Sequence, residues 1–281
     1  FRQEFNNLQS DVTGLETGTL SFSTITSTAQ NTGVLNITED GNVVVTTGHP
    51  DIGGSRAAIA NITAELLGIH HERVSVQIGD TATIGYSNLT GGSRVLFASA
   101  MVVTQSSQKV IKQLKQRAAK IWGIDEDAID WENGEARPAG DNAGKFPALT
   151  LADIAEKATA TGGPIGAGVQ LNTEGAEGGF ATHICDVEVD VELGIVRVLR
   201  YTSIQDVGKA IHPDYVEGQL QGGCAQGIGW ALSEEYIYNK NGHLDNTGFL
   251  DYRMPVCSDL PMLDTVIIEV PNPKHPQGVR G

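Results

Sequence analysis

Apolar residues along this chain recur with two periods, one helical and one of strands. Ile59, Ile62, Leu66 and Leu67 fall at i, i+3, i+7 and i+8 and predict a helix over 55–67, closed by Gly68. A longer helical pattern covers 93–121, and a third covers 213–233 with Pro213 in its first turn. Thr150 is placed to cap a short helix running to about Lys157. Alternating or β-branched runs predict strands over 16–26, 33–38, 43–47 and 74–78. Further strands are expected over 181–191, 195–201, 235–238 and 266–270, with hairpin turns at Glu39–Asn42, Glu132–Glu135 and Glu192–Gly194. Asp186, Glu188, Asp190 and Glu192 share one face of their strand, which reads as solvated. The fold class is therefore α/β (α+β): mixed or antiparallel sheets covered by helices. The Gly-rich run 161–168 is the most plausible internal boundary, giving possible lobes 1–160 and 169–281.

The third helical pattern conflicts with its own composition. Five glycines lie between Gly218 and Gly229, and each costs a helix interior about 1 kcal/mol relative to Ala. On a helix, Gln219, Gly222, Gly223 and Gln226 form one stripe, an amide at each end with bare backbone between. Such a stripe suits a flat polar ligand, and it equally suits the close approach of another helix. Leu220, Cys224, Gly227, Ile228 and Ala231 would face the core.

Glycine also punctuates the starts of the other two long helices. Gly53-Gly54-Ser55-Arg56 precedes the first and Gly91-Gly92-Ser93-Arg94 the second. A helix start offers unpaired N–H groups and a favourable dipole to an anion or an oxygen-rich ligand. Neither motif is a Gly-x-Gly-x-x-Gly fingerprint or a Gly-Lys-Ser/Thr phosphate loop, so dinucleotide-fold and NTPase readings lack support.

Composition narrows the classes without naming a chemistry. The formal charge of −15 and the absence of a basic patch exclude phosphate-backbone recognition; the run Lys109–Lys120 reads as the wet face of a helix. Cys185, Cys224 and Cys257 are too widely spaced for a zinc site and fit a reduced, cytoplasmic setting. Neither a transmembrane run nor a leader is visible. The chain begins at Phe1 and stops at Arg280-Gly281, inside what reads as a motif, so an excised piece is expected. The acidic cluster Asp125, Glu126, Asp127 and Asp130 reads as surface, and His212 before Pro213 as structural.

Five stretches, in this order, resemble the molybdenum hydroxylases of the xanthine dehydrogenase and aldehyde oxidase family. They are Thr47-Gly-x-x-Asp-Ile-Gly-Gly-Ser-Arg56, Thr90-Gly-Gly-Ser-Arg94, Asp206-Val-Gly-x-Ala-Ile-His-Pro213, the glycine helix Gly218–Glu235, and Gly278-Val-Arg-Gly281. The resemblance implies a molybdopterin-binding domain fragment spanning 1–281, the C-terminal half of such a large subunit. It implies a molybdenum-bearing molybdopterin, either unextended or in the cytosine dinucleotide form, contacted by Gly53, Gly54, Ser55, Gly91, Gly92, Ser93, Gln219, Gly222 and Gly223. No metal ligand is implied in this chain. Family enzymes hydroxylate an aldehyde or N-heteroaromatic carbon with oxygen from water, and electrons leave through [2Fe-2S] clusters and usually FAD. Partners are therefore the other half of the molybdopterin region, and iron–sulfur and flavin domains or subunits. Two departures stand out. Many members carry Gly-Gln-Gly where this chain has Gly53-Gly54-Ser55, and the catalytic glutamate is expected three residues beyond Gly281, so the 281 residues alone are expected to be inactive. The competing class is a non-catalytic scaffold or assembly subunit that docks partner chains.

Overall fold

The computed structural model describes residues 29–175 and 177–281; the strand expected over 16–26 lies outside them. Strands β1 (Ala29–Ile37) and β2 (Val43–Thr47) form an antiparallel hairpin. From β2 the chain enters helix α1 (Ser55–Leu67) and returns as β3 (Val74–Ile78), parallel to β2. Helix α2 (Arg94–Trp122) follows, then β4 (Ile129–Glu132), β5 (Glu135–Pro138) and β6 (Leu149–Thr150), which make a small antiparallel sheet. Thr150 caps the short helix α3 (Leu151–Glu156) through a reciprocal pair with Asp153, as its position predicted. A single turn, α4 (Ala158–Thr161), leads into β7 (Gly166–Thr173), which pairs with β1 and completes a sheet of order β3-β2-β1-β7.

The run 161–168 leads from the helices that follow the small sheet back into the four-stranded one. Its glycines close α4 and start β7, where Gly166 pairs with Asn36 and Ala167 with Leu35. The chain crosses to the next sheet after Thr173 and enters β8 (Ala181–Asp190), β9 (Ile195–Asp206), α5 (Pro213–Leu232) and β10 (Leu263–Ile268). Strand β10 runs parallel to β9, and β8 is antiparallel to it. Thus β8-β9-α5-β10 repeats the order of β1-β2-α1-β3: hairpin, helix, parallel strand. The strand expected over 235–238 is only an isolated bridge, Tyr238 to Leu244, around a turn.

Apolar burial is concentrated in the first part of the chain. Leu35, Val43, Val45, Ile59, Ile62, Leu67, Leu114, Ile129 and Leu151 are all essentially inaccessible and belong to one cluster. Removing each such side chain from water stabilises by roughly 1.5–3 kcal/mol. By contrast α5 buries only Cys224, Ile228 and Gly229. Gly227 and Ala231, expected to face inward, are exposed. The physical reason is a narrow seam: Leu220, Cys224 and Ile228 form a single i, i+4, i+8 row, and the helix meets its sheet along little else.

Candidate functional site at the carboxyl ends of two parallel strand pairs

Each parallel pair sends its loops out at one end. Beyond β2 lies 48–54, beyond β3 lies 79–93, beyond β9 lies 207–212 and beyond β10 lies 269–281. In open sheets with parallel strands, ligands characteristically sit outside the carboxyl ends. All the expected cofactor contacts fall in these loops or on the helices they open.

Gly53 (φ 62°) and Gly54 (φ 73°) are both left-handed, a conformation that favours glycine. Their bare Cα atoms also admit α5. A Cβ on Gly53 would stand 2.8 Å from the Gln219 amide carbon, and one on Gly54 would overlap the ring of Tyr215. Tyr215 in turn stacks on His212, with centroids 4.1 Å apart. Gly53, Gly54 and Gln219 are thus brought together. Ser55 is different: it is the first helical residue rather than the cap, is buried, and sets its hydroxyl 3.4 Å from Pro50 O and from Asp51 Oδ1.

The two Gly-Gly-Ser-Arg starts are offset by one residue. In the first, the left-handed pair is Gly53-Gly54 and the helix begins at Ser55; in the second, the pair is Gly92-Ser93 (φ 61° and 57°) and the helix begins at Arg94. Their N–H groups differ as well. The Asp51 carboxylate accepts the Arg56 N–H at 3.0 Å and its Nε at 2.7 Å, while Ala57 and Ala58 donate to Gly54 O. These bonds, led by the Arg56 backbone N–H, hold the Asp51 carboxyl below the usual carboxylate range. The expected open N-terminus is therefore closed on α1. On α2, the N–H groups of Ser93, Arg94, Val95 and Leu96 have no acceptor among the described residues. That start remains a donor array for an oxygen-rich ligand.

A buried polar network ties the two turns together, and nothing in the residue pattern pointed to it. Arg94 donates to Leu89 O and to Asn31 Oδ1 (3.2 Å), and Asn31 Oδ1 also lies 2.7 Å from His49 Nε2. Asn31 Nδ2 reaches Thr173 Oγ1 on β7 at 3.3 Å. Burial first, and then the Arg94 charge, push the His49 imidazole below its ordinary pKa, so the neutral ring donates from Nε2.

Gly222 and Gly223 lie about one turn beyond Gln219, exposed; a Cβ on either, or on Gly218 or Gly227, would meet nothing within 4 Å. Gly92 is equally open, whereas Gly91 sits against the Leu89 side chain. The last residue, Gly281, lies against the second turn: a Cβ there would stand 3.2 Å from Gly92 O and from Ser93 O. The face offered is bare backbone, one amide and free N–H donors. Such a surface can cradle a flat, oxygen-rich ligand, and so fits a pterin held by hydrogen bonds rather than by protein–metal bonds. The cluster His70, His71 and Glu72 is exposed and lies before β3, at the opposite end of that sheet.

Comparison with known proteins decides the family. Residues 3–261 match the molybdopterin cofactor-binding domain. The chain belongs to this family. It is 29% identical over 277 residues to the nicotine 6-hydroxylase large subunit of Paenarthrobacter nicotinovorans, spanning 95% of this chain and 34% of that protein. It is also 28% identical over 246 residues to the putative xanthine dehydrogenase molybdenum-binding subunit of Escherichia coli K12, covering 85% of this chain and 32% of that protein. Quinoline 2-oxidoreductase from Pseudomonas putida 86 shares the fold with a TM-score of 0.80 at 28% identity, over 90% of this chain and 33% of that one. This molybdopterin cofactor-binding domain thus spans about a third of the length of the relatives it matches. No described helix in it is long and apolar enough to cross a membrane.

Proposed function

We propose that this domain forms one wall of the cofactor site in a large subunit of a molybdenum hydroxylase. The observation that carries the reading is the exposed bare face of α5, with Gln219 set against the Gly53–Gly54 turn at the carboxyl ends of the parallel strands. The cofactor would be molybdopterin with molybdenum, either unextended or as the cytosine dinucleotide. When bound, it supplies the two-electron oxidation that places water-derived oxygen on an aldehyde or N-heteroaromatic carbon. Likeness to a nicotine hydroxylase and to quinoline 2-oxidoreductase favours the N-heteroaromatic side of that range.

The chain's own residues then bind and orient. Gly222 and Gly223 leave space for a planar ring system against the helix backbone, and Gln219 presents its amide beside it. The free N–H groups of α2 from Ser93 to Leu96 donate to oxygen atoms of the ligand, without reorganisation on binding. Gly53 and Gly54 contribute their backbone edge. Gly281, after which the family resemblance leads one to expect the proton-transferring glutamate, lies against the Gly92–Ser93 turn of this wall. The remaining partners are the other part of the molybdopterin region, [2Fe-2S] clusters and FAD, held in further domains or subunits.

The test uses the full-length protein purified with its partner chains. Gln219→Ala is expected to lower molybdenum and pterin content or the turnover per molybdenum at least tenfold. Unchanged content and unchanged turnover would return Gln219 to a packing role. The 281 residues alone are expected to show no hydroxylase activity, and measurable turnover would contradict that.

A further inference from the structure

The segment from Pro271 to Gly281 has almost no regular structure, yet it is fixed at both ends. Both ends meet at Asp206, the last residue of β9, which is 7% exposed. Its Oδ1 accepts the N–H groups of Gly208 (3.0 Å) and Val270 (3.1 Å), and its Oδ2 lies 3.0 Å from Arg280 Nε. That last contact has the distance of an ion pair but not the direction of a hydrogen bond. The Arg280 side chain is 8% exposed and donates to Gly178 O (2.8 Å) and Val270 O (3.2 Å). Backbone bonds from Lys209 to Gly278 O and from Arg280 to Val207 O lock the same crossing. Farther along, His275 is buried and sets Nε2 2.9 Å from Phe97 O on α2, while Gln277 donates to Thr104 Oγ1 on the same helix.

The strap thus joins the loop that opens α5 to the helix whose first turn carries the free donors. We propose that Asp206 and Arg280 are positioning residues for the cofactor wall: their buried pair holds the strap, and the strap sets the Gly92–Ser93 turn relative to α5. This rests on the reading of α5 and the α2 turn as a pterin wall. A buried pair is suited to such a task because removing Asp206 leaves the Arg280 guanidinium only the more distant Glu177 carboxylate, 3.7 Å from its Nη1, and the local structure must move to satisfy the charge. Distance from the ligand is then governed by residues that do not touch it.

The experiment compares wild type, Asp206→Asn and Arg280→Lys in the full-length enzyme with its partner chains. Arg280→Lys keeps the charge and loses the guanidinium fork, so it is the milder change. Three quantities are read: molybdenum and pterin per protein, kcat and KM per molybdenum, and hydrogen exchange of the Ala98–Met101 amides, the first with an i−4 acceptor inside α2. The expected result in Asp206→Asn is retained molybdenum, kcat per molybdenum at least tenfold lower with KM within threefold, and at least tenfold faster exchange at Ala98–Met101. Arg280→Lys should show the same pattern more weakly. If Asp206→Asn does not assemble, Arg280→Lys carries the same criteria, and failure of both to assemble overturns the proposal by making the pair a folding determinant only. Unchanged exchange and unchanged kcat per molybdenum in loaded variants would also overturn it, as would lost cofactor with normal turnover of the loaded fraction. Wild type without molybdenum or pterin would remove the wall reading itself, while the exchange comparison still reads the strap.

Discussion

Single residues set the ends of this structure, and three of them tie its stability to pH. Asp51 closes the start of α1 by accepting from the Arg56 backbone and side chain. Asp51→Ala is expected to destabilise the chain by about 1 kcal/mol, the usual loss for a carboxylate cap, read from the denaturation midpoint at neutral pH. Because its folded pKa is lowered, the contribution is present above the ordinary carboxylate range and fades as pH falls through the folded value. His275 is the opposite kind of group. Burial holds its imidazole below 6.5 in the folded chain, with the Phe97 carbonyl acting the other way. The unfolded chain therefore takes up the proton first. The contribution is complete above pH 6.5 and is lost as pH falls from there towards the folded value; His49, lowered by burial and Arg94, adds in the same direction. Between pH 7.5 and 5, His275→Gln should flatten the dependence of the unfolding midpoint on pH, and an unchanged slope would contradict the assignment.

At the scale of elements, α5 and α2 carry the argument by what they leave unfilled. Gly222→Ala and Gly223→Ala each remove a helix-interior glycine at a site where a Cβ meets nothing within 4 Å. Each should stabilise the chain by roughly 1 kcal/mol, yet lower pterin occupancy of the full-length enzyme. Stabilisation with normal occupancy would mean the face is not a ligand wall. The periodicity located these helices well: the expected spans 55–67, 93–121 and 213–233 lie within a residue of 55–67, 94–122 and 213–232 at each end. What it could not show was the one-residue offset between the Gly-Gly-Ser-Arg starts. That offset arises from Asp51, which caps α1 from five residues before Arg56, whereas the second loop offers no such carboxylate. Likewise, Arg117 and Lys120 belong to a run read as a wet face. Both donate to the Thr161 carbonyl, and Arg117 also to that of Gly162, closing α4. A tertiary contact of that kind leaves no periodic signal.

For the whole molecule, burial is uneven in a way that composition hides. The hydrophobic cluster draws almost wholly on residues 35–167. In the β8–β9 hairpin, cross-strand neighbours Val187–Val198 and Val189–Val196 lie on one face, and Val187 and Val189 are about half exposed. The other face bears the ion pairs Asp186–Arg200 and Glu188–Arg197, as the alternation predicted. Trp230, Phe249, Leu250 and Met262 are more than 60% exposed as well. Apolar surface of this extent is uncommon on a free-standing chain. Expressed alone, the 281 residues are expected to self-associate at micromolar concentration by light scattering, and Val187→Lys with Val189→Lys should reduce it; a monodisperse monomer would contradict the expectation. Long-range pairing also shapes the start of β7. The Gly-rich run 161–168 looks like a linker, but pairing with β1, distant in sequence, makes its second part a strand.

The central claim is that the bare face of α5 holds a molybdenum-bearing pterin. The most direct measurement is the molybdenum and pterin content of the full-length protein with its partner chains, wild type beside Gly222→Leu. Near-stoichiometric molybdenum and pterin in wild type, falling at least tenfold in a Gly222→Leu protein that still folds, is the predicted result. Equal content in both, or none in wild type, would contradict it.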